Sequence, residues 1–298
     1  MYYYKVYDLK VRSDLKFPQL IVCEDETEHD LEIMSGTMPE DIAAKAEVKK
    51  YEFGTERSYL TNKTCCMLVE KGNRITYTLK PGGLEKYLQS YLLGFGMAMI
   101  AMQRGMIAIH CSALADEDGA ILIAGESGAG KSTLATAFIE SGYRLMADDM
   151  VLVETVDGKA IAKPAFPFQK LCRDVVMEKG YDMNELIYIN EEKDKFLVPF
   201  KGEFVKEPLP VKAFIYLVIV DGEKVLTEEV KGIGKLSLCA NNLFLRNLLG
   251  QERFAPNIGQ KCLEAAAAMP MYCIGRPDKK DTSKEVSEKV FEILSTLV

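Results

Sequence analysis

Histidine is nearly missing from this chain of 298 residues: there are two, His29 and His110. The eight cysteines are scattered, and only Cys65 and Cys66 are close, as direct neighbours. No CxxC pair and no Cys/His ligand spacing occurs, so structural zinc is not expected and reduced thiols are. Positive charge is also short, with 37 Lys and Arg against 44 Asp and Glu and a formal charge of −7. A nucleic-acid partner calls for a basic face, and this balance argues against one. Long hydrophobic runs are absent. The most apolar stretch, YLLGFGMAMIAM from Tyr91 to Met102, is too short for a bilayer and is bounded by Gln89, Ser90, Gln103 and Arg104. The opening Met-Tyr-Tyr-Tyr-Lys lacks the charged and apolar regions of a secretory signal. The expectation is a cytoplasmic protein with no membrane segment. Neither a fixed-period repeat nor a low-complexity linker is present, so the parts of the chain should pack together.

What the chain does contain is 48% hydrophobic residues, enough for one large core or two modest ones. Residues 1–83 carry short alternating runs such as YYYKVYDLKV, LIVCE, YEFG, CCMLVE and RITYTLK, rich in Tyr, Val and Ile. They predict a mainly antiparallel β module, with PEDIAAKAEVKK its one helix. Residues 84–298 predict an α/β domain. LEKYLQSYLLGFGMAMIAMQRG has apolar residues at helical spacing until Gly105 stops it. MIAIHCSALA and GAILIAG flank the turn DEDG, and MVLVET and KAIAKP flank VDGK. Two such hairpins imply a mixed sheet. KAFIYLVIV and MYCIG read as strands; KLSLCANNLFLRNLL, GQKCLEAAAAM and KEVSEKVFEILSTLV read as helices.

Between the hairpins lies GESGAGKSTLATAFIESG, in which Gly125, Gly130, Lys131 and Ser132 satisfy G-x-x-x-x-G-K-[ST]. An apolar strand precedes the loop and a helix follows, the context a phosphate loop requires. Glycines at 125, 128 and 130 allow backbone shapes that a Cβ would block. The amides of residues 125–133, including Ser127 and Ala129, then face an anion at the positive end of a helix. Lys131 would reach the β- and γ-phosphates of ATP, Ser132 would ligate Mg²⁺, and Thr133 could contact the α-phosphate.

Asp148 follows Lys131 by seventeen positions, and Asp149 comes next. That interval holds one helix, a turn and a short return strand, LMA, which would set both carboxylates beside the loop strand. Side chains alternate along a strand, so the two should face different ways, one toward a metal and one toward a hydroxyl acceptor.

Here the sequence resembles a known family. IHCSAL, then GESGAGKSTLATAFIESGYRLMADDMVLV, is similar to the HPr serine kinase/phosphorylase family, and more closely to its kinase-like branch with a β-rich N-terminal module. VYDLKVRSDLKFPQL, AFPFQKLCRD and LPVKAFIYLV follow the order expected from that branch. The resemblance implies a phosphoenolpyruvate carboxykinase-like P-loop kinase domain and ATP-dependent phosphorylation of a hydroxyl. It also implies Asp148 as base and Asp149 on the metal side, with the reverse assignment open. His110 would contact a phosphate or orient an aspartate, and Arg173 and Lys195 would stabilise charge on the transferring group. An oligomer is a further implication. The E-x-R-G-L-G signature of the bifunctional members is not present, and GIGKL is no substitute. The acceptor therefore stays open among peptide, protein and small-molecule hydroxyls. Two other readings of the loop stay open too: a nucleotide-binding scaffold that transfers nothing, and a simple NTPase.

Overall fold

A computed structural model describes all residues except 127, 190–193, 247–255, 279–280 and 298. The first part is an eight-stranded sheet with one helix, Glu40–Val48, on it. Tyr2–Val6 and Leu9–Ser13 form a hairpin, and a second antiparallel set runs through Arg57–Thr61, Cys65–Glu70 and Arg74–Leu79. The two sets meet at Leu31–Ser35, which is parallel to both neighbours. The module is thus mixed at its centre, because the chain crosses over through residues 14–30 before that strand is laid down. The first hairpin turns on two residues, Tyr7 and Asp8, both at positive φ (52° and 60°). Two-residue hairpins favour this twist, though Asn-Gly is its usual sequence and a bulky aromatic is strained there.

The helix expected at 84–102 comes in three pieces: Glu85–Tyr91, a wide π turn Leu92–Gly96, and Met97–Gln103. Its last piece is buried from Met97 to Met102. Gly96 sits where a Cβ would lie 3.1 Å from Ile75 Cδ1, so the turn packs directly on the N-terminal sheet. One hydrophobic cluster runs from Val6, Leu31 and Ile75 through Leu92 and Met99 to Ile107, Val153 and Cys262. Both halves of the chain share it.

A nine-stranded mixed sheet follows, built on the long strand Leu209–Val220. One edge of that strand takes Ala120–Gly125 in parallel. Its other edge pairs with Lys159–Lys163 at the start and with Met271–Pro277 in parallel over the rest. Both expected hairpins form, at Ser112–Ala115/Ala120–Gly125 and at Val151–Val156/Lys159–Lys163. MIAIHCSALA is not one strand, however. Ile107–Ile109 pairs with Val151–Val156, Ser112–Ala115 pairs with the loop strand, and His110–Cys111 cross between the two limbs. Lys131–Glu140 packs on the loop strand and Ser283–Ser295 on that helix and the long strand, with Phe138 against Phe291 (ring centroids 4.8 Å). A small three-stranded sheet, Phe168–Cys172, Lys195–Pro199 and Ile187–Ile189, has its own core of Leu171, Val176, Phe196 and Val198. The helix read in KLSLCANNLFLRNLL is found at Ile233–Asn241. Beyond it Leu243 bridges to Ile109, and residues 247–249 of that stretch lie outside the described residues. No helix among the described residues is long and apolar enough to cross a membrane.

Candidate active site

The loop strand ends at Gly125, where a Cβ would stand 2.3 Å from Leu217 O on the long strand. Only glycine permits this approach. Gly128 and Gly130 have φ of 82° and 100°, and Gly130 caps the helix Lys131–Glu140. Successive left-handed turns of this kind aim amides at one point and form an anion nest. Ser127 lies outside the described residues. The Ala129 methyl is buried in the core under the loop, so this position can meet a ligand only through its backbone. Ser132 and Thr133 are exposed in the first turn of the helix. Lys131 Nζ donates to Gly125 O (2.7 Å) and Glu126 O (2.9 Å), which holds the ammonium over the loop.

Asp148 and Asp149 follow the return strand Arg144–Ala147, but that strand pairs with Ser112–Ala115 and not with the loop strand. One strand intervenes. Two inter-strand steps set the aspartates about 10 Å from the loop strand, which is the span of a short phosphate chain. Nor does strand alternation separate their side chains, because both residues lie past the strand's end. The separation comes from a left-handed turn at Asp149, with φ of 73°. Asp148 accepts from Ser112 Oγ (2.7 Å) and from the Lys170 amide (2.7 Å). Asp149 pairs with Lys170 Nζ at 2.9 Å. Burial would raise the Asp149 pKa, but the charges of Lys170, His110 and Lys195 and the Lys170 hydrogen bond outweigh it and hold the carboxyl below the usual range.

His110 sits in the crossing between two strands, half exposed, with its ring tilted on Phe244. Its Nδ1 lies 2.8 Å from the Asp149 carbonyl oxygen. A carbonyl only accepts, so Nδ1 carries the proton and the other ring nitrogen is left to a ligand or to solvent. The Cys111 thiol beside His110 is buried. Burial first, then the negative charges of Asp148 and Asp149, push its pKa up, while Lys131 pulls it down.

Of the remaining expected residues, Lys195 contributes its charge to Asp149, whereas Arg173 is engaged elsewhere. Its guanidinium makes a two-pronged pair with Asp194 (2.6 and 3.0 Å) and lies over the Phe196 ring. Two basic residues at the site escape the reading of the sequence. Lys170 is one; reading FQKLC as a strand would have pointed to it. Arg276 is the other: from Met271–Pro277 it donates to Ala129 O (2.9 Å) and Gly128 O (2.5 Å), clasping the loop from beneath. Nothing local in CIGRP signals that contact.

Lys170→Met will destabilise the protein by about 2–3 kcal/mol at neutral pH, since it leaves the Asp149 carboxylate mostly buried without its nearest counter-charge. Urea denaturation measures this. Asp149 is more acidic folded than unfolded, so its contribution is complete above the ordinary carboxylate pKa of about 4. It is lost as pH falls through the lower folded value. In Lys170→Met that acid-side loss shrinks, which denaturation curves between neutral pH and pH ~3 will reveal.

Residues 105–171 match a family model described as HPr Serine kinase C-terminal domain. This segment resembles the HPr serine kinase family. The HPr-kinase-like segment holds His110, the glycine loop, both aspartates and Lys170, and it ends before Arg173 and Lys195. Two curated relatives, the HPr kinase/phosphorylases of two strains of Treponema pallidum (one of them Nichols), are each 44% identical over 55 residues. The matched stretch covers 18% of this chain and 17% of either relative. Among solved structures, that of the Hpr(Ser) kinase/phosphatase from Coxiella burnetii aligns with 64% of this chain and 97% of its own, at 16% identity and a TM-score of 0.34.

Proposed function

We propose that this protein is an ATP- and Mg²⁺-dependent kinase with a phosphoenolpyruvate carboxykinase-like P-loop domain, transferring the γ-phosphoryl group to a serine-type hydroxyl. The acceptor is a protein, a peptide or a small molecule, and HPr itself is one candidate. The sheet register carries this reading: Asp148 accepts from Ser112 Oγ, Ser112 pairs with Ile123 near the loop end of the loop strand, and Lys131 closes over that loop. A nucleotide-binding module alone would need the loop and one carboxylate for Mg²⁺, and not a second one.

In this reading the loop amides and Lys131 bind the β- and γ-phosphates. Asp148, fixed by two neutral donors, accepts the proton of the acceptor hydroxyl. The acceptor oxygen bonds to the γ-phosphorus as the bond to the β–γ bridging oxygen breaks, and ADP leaves. Asp149 is held ionised and is the poorer base. One exposed hydroxyl, Ser132, and one ionised carboxylate, Asp149, form the kind of oxygen donor set that Mg²⁺ shares with phosphates. When bound, Mg²⁺ neutralises charge on the phosphate oxygens. Lys170 and Lys195 bring positive charge to Asp149, and the His110 ring faces its carbonyl oxygen.

Incubating the purified protein with γ-labelled ATP and Mg²⁺, fractionated lysate, HPr and seryl peptides tests this reading. Label on a serine hydroxyl supports it; ATP hydrolysis with no labelled acceptor in any fraction overturns it. Arg276→Ala, which frees two loop carbonyls, will weaken nucleotide binding about tenfold through lost preorganisation, as read by calorimetric titration with ADP.

A further inference from the structure

A narrow cavity of about 30 Å³ opens beside the two aspartates, and its walls come from both halves of the chain. Asp148, Asp149 and Lys170 form one side, and Gly94 of the π turn forms another. Tyr7 and Gln19 of the N-terminal module form a further wall, and Leu93, Phe166, Ile189 and Leu197 are among the apolar residues that also line it. Gln19 is 2% exposed, and its Oε1 has no hydrogen-bond partner among the described residues. Such a group costs stability unless something binds it.

Its position is built. Gln19 lies in the turn after Leu9–Ser13, and that turn is fixed at three points. Gln89 Nε2 donates to Lys16 O (2.8 Å), the Phe17 amide donates to the Tyr4 hydroxyl (2.9 Å), and the Leu20 amide donates to Phe17 O (3.2 Å). Tyr7 reaches the same wall from a left-handed turn, and its hydroxyl donates to Met150 O, next to Asp149 (3.3 Å). Strain in the backbone and a wide helical turn both collect at this one cavity, as they do at binding sites.

At about 10–15 Å³ for each water-sized group, the cavity holds two or three such groups, so it takes the hydroxyl and the N–H of a small acceptor while the carbons that join them stay at its mouth. Resting on the phosphotransfer reading above, we propose that it is the acceptor subsite: it seats a primary alcohol carried next to a hydrogen-bond donor, as in a seryl residue. The alcohol faces Asp148, and Gln19 Oε1 accepts from the neighbouring N–H. The N-terminal module is thus a wall of the acceptor site.

The test is a titration of the full-length protein, loaded with Mg²⁺ and ADP, with N-acetyl-L-serinamide, L-serine and N-acetyl-L-alaninamide. Shifts of the Gln19 side-chain amide resonance report binding, and Gln19→Leu identifies that resonance by deleting it. The expected result is a saturable shift with a seryl compound and at least tenfold weaker binding of the alanine compound. Preference for serinamide assigns the group to a peptide chain, and preference for serine to the free amino acid. Gln19→Leu should weaken seryl binding at least tenfold, leave ADP affinity unchanged, and keep or raise Tm, since it removes an unsatisfied buried acceptor. A merely structural Gln19 would instead lower Tm. No shift with either seryl compound, equal binding of the alanine compound, or unaltered binding by Gln19→Leu overturns the proposal. If seryl compounds bind here but ATP labels no acceptor, the kinase reading fails while the subsite stands.

Discussion

Lys131→Ala will lower phosphoryl transfer by about 10²–10³-fold and weaken ATP binding along with it. The loop presents amides to the phosphates, but amides are dipoles and the β- and γ-oxygens carry full charge. Lys131 is the one full positive charge the glycine loop itself supplies. In the structure its ammonium lies on Gly125 O and Glu126 O, over the turn that the anion would fill. Truncation to alanine leaves those carbonyls facing the phosphates with nothing between, so repulsion adds to the lost attraction. Lys131→Arg will not restore activity, because a planar fork cannot replace a compact ammonium in a turn this tight. The measurement is ATP affinity by calorimetry together with initial rates of label transfer. An unchanged rate in Lys131→Ala would remove the loop from the chemistry.

Asp148→Asn will reduce transfer by about 10²–10⁴-fold while ATP affinity stays within a few-fold. The amide keeps the shape of the carboxylate: its oxygen can accept from the Lys170 amide while its NH2 donates to Ser112 Oγ. It cannot take a proton, so the loss falls on kcat and not on nucleotide binding. Asp149→Asn behaves differently. It cancels one charge of a pair with Lys170, leaves that ammonium without its carboxylate, and so changes both stability and Mg²⁺ dependence. Comparing the two variants at several Mg²⁺ concentrations assigns the roles. If Asp149→Asn alone loses activity, and no amount of Mg²⁺ restores it, the assignment is reversed.

What could be read ahead of the structure was whatever is written in consecutive residues. The glycine loop, both hairpins and the aspartate pair each occupy one short window, and local spacing determines them. The break at His110–Cys111 was not visible, because an apolar run that changes partners half-way looks like one strand. The position of the return strand is equally hidden: strand order is a long-range property, and Ser112–Ala115 stands between it and the loop strand. Lys170 and Arg173 sit three apart in QKLCRD, and either could serve an anion by its chemistry. Their difference comes from Asp194, which neutralises Arg173, and from Asp149, which meets Lys170. Gln19 carried no charge to draw notice, and its meaning comes from a missing partner.

The clasp between Arg276 and the glycine loop joins residues 147 and 148 positions apart. A chain emerging from the ribosome at about 5–20 residues per second completes the loop some ~7–30 s before it makes that arginine. Until Met271–Pro277 pairs with the long strand, the carbonyls of Gly128 and Ala129 have no guanidinium to hold them. In the proposed kinase, competence for nucleotide is therefore a late event in the life of each molecule. Nascent chains pass through synthesis without a finished phosphate cradle, and chains broken off before residue 276 never acquire one.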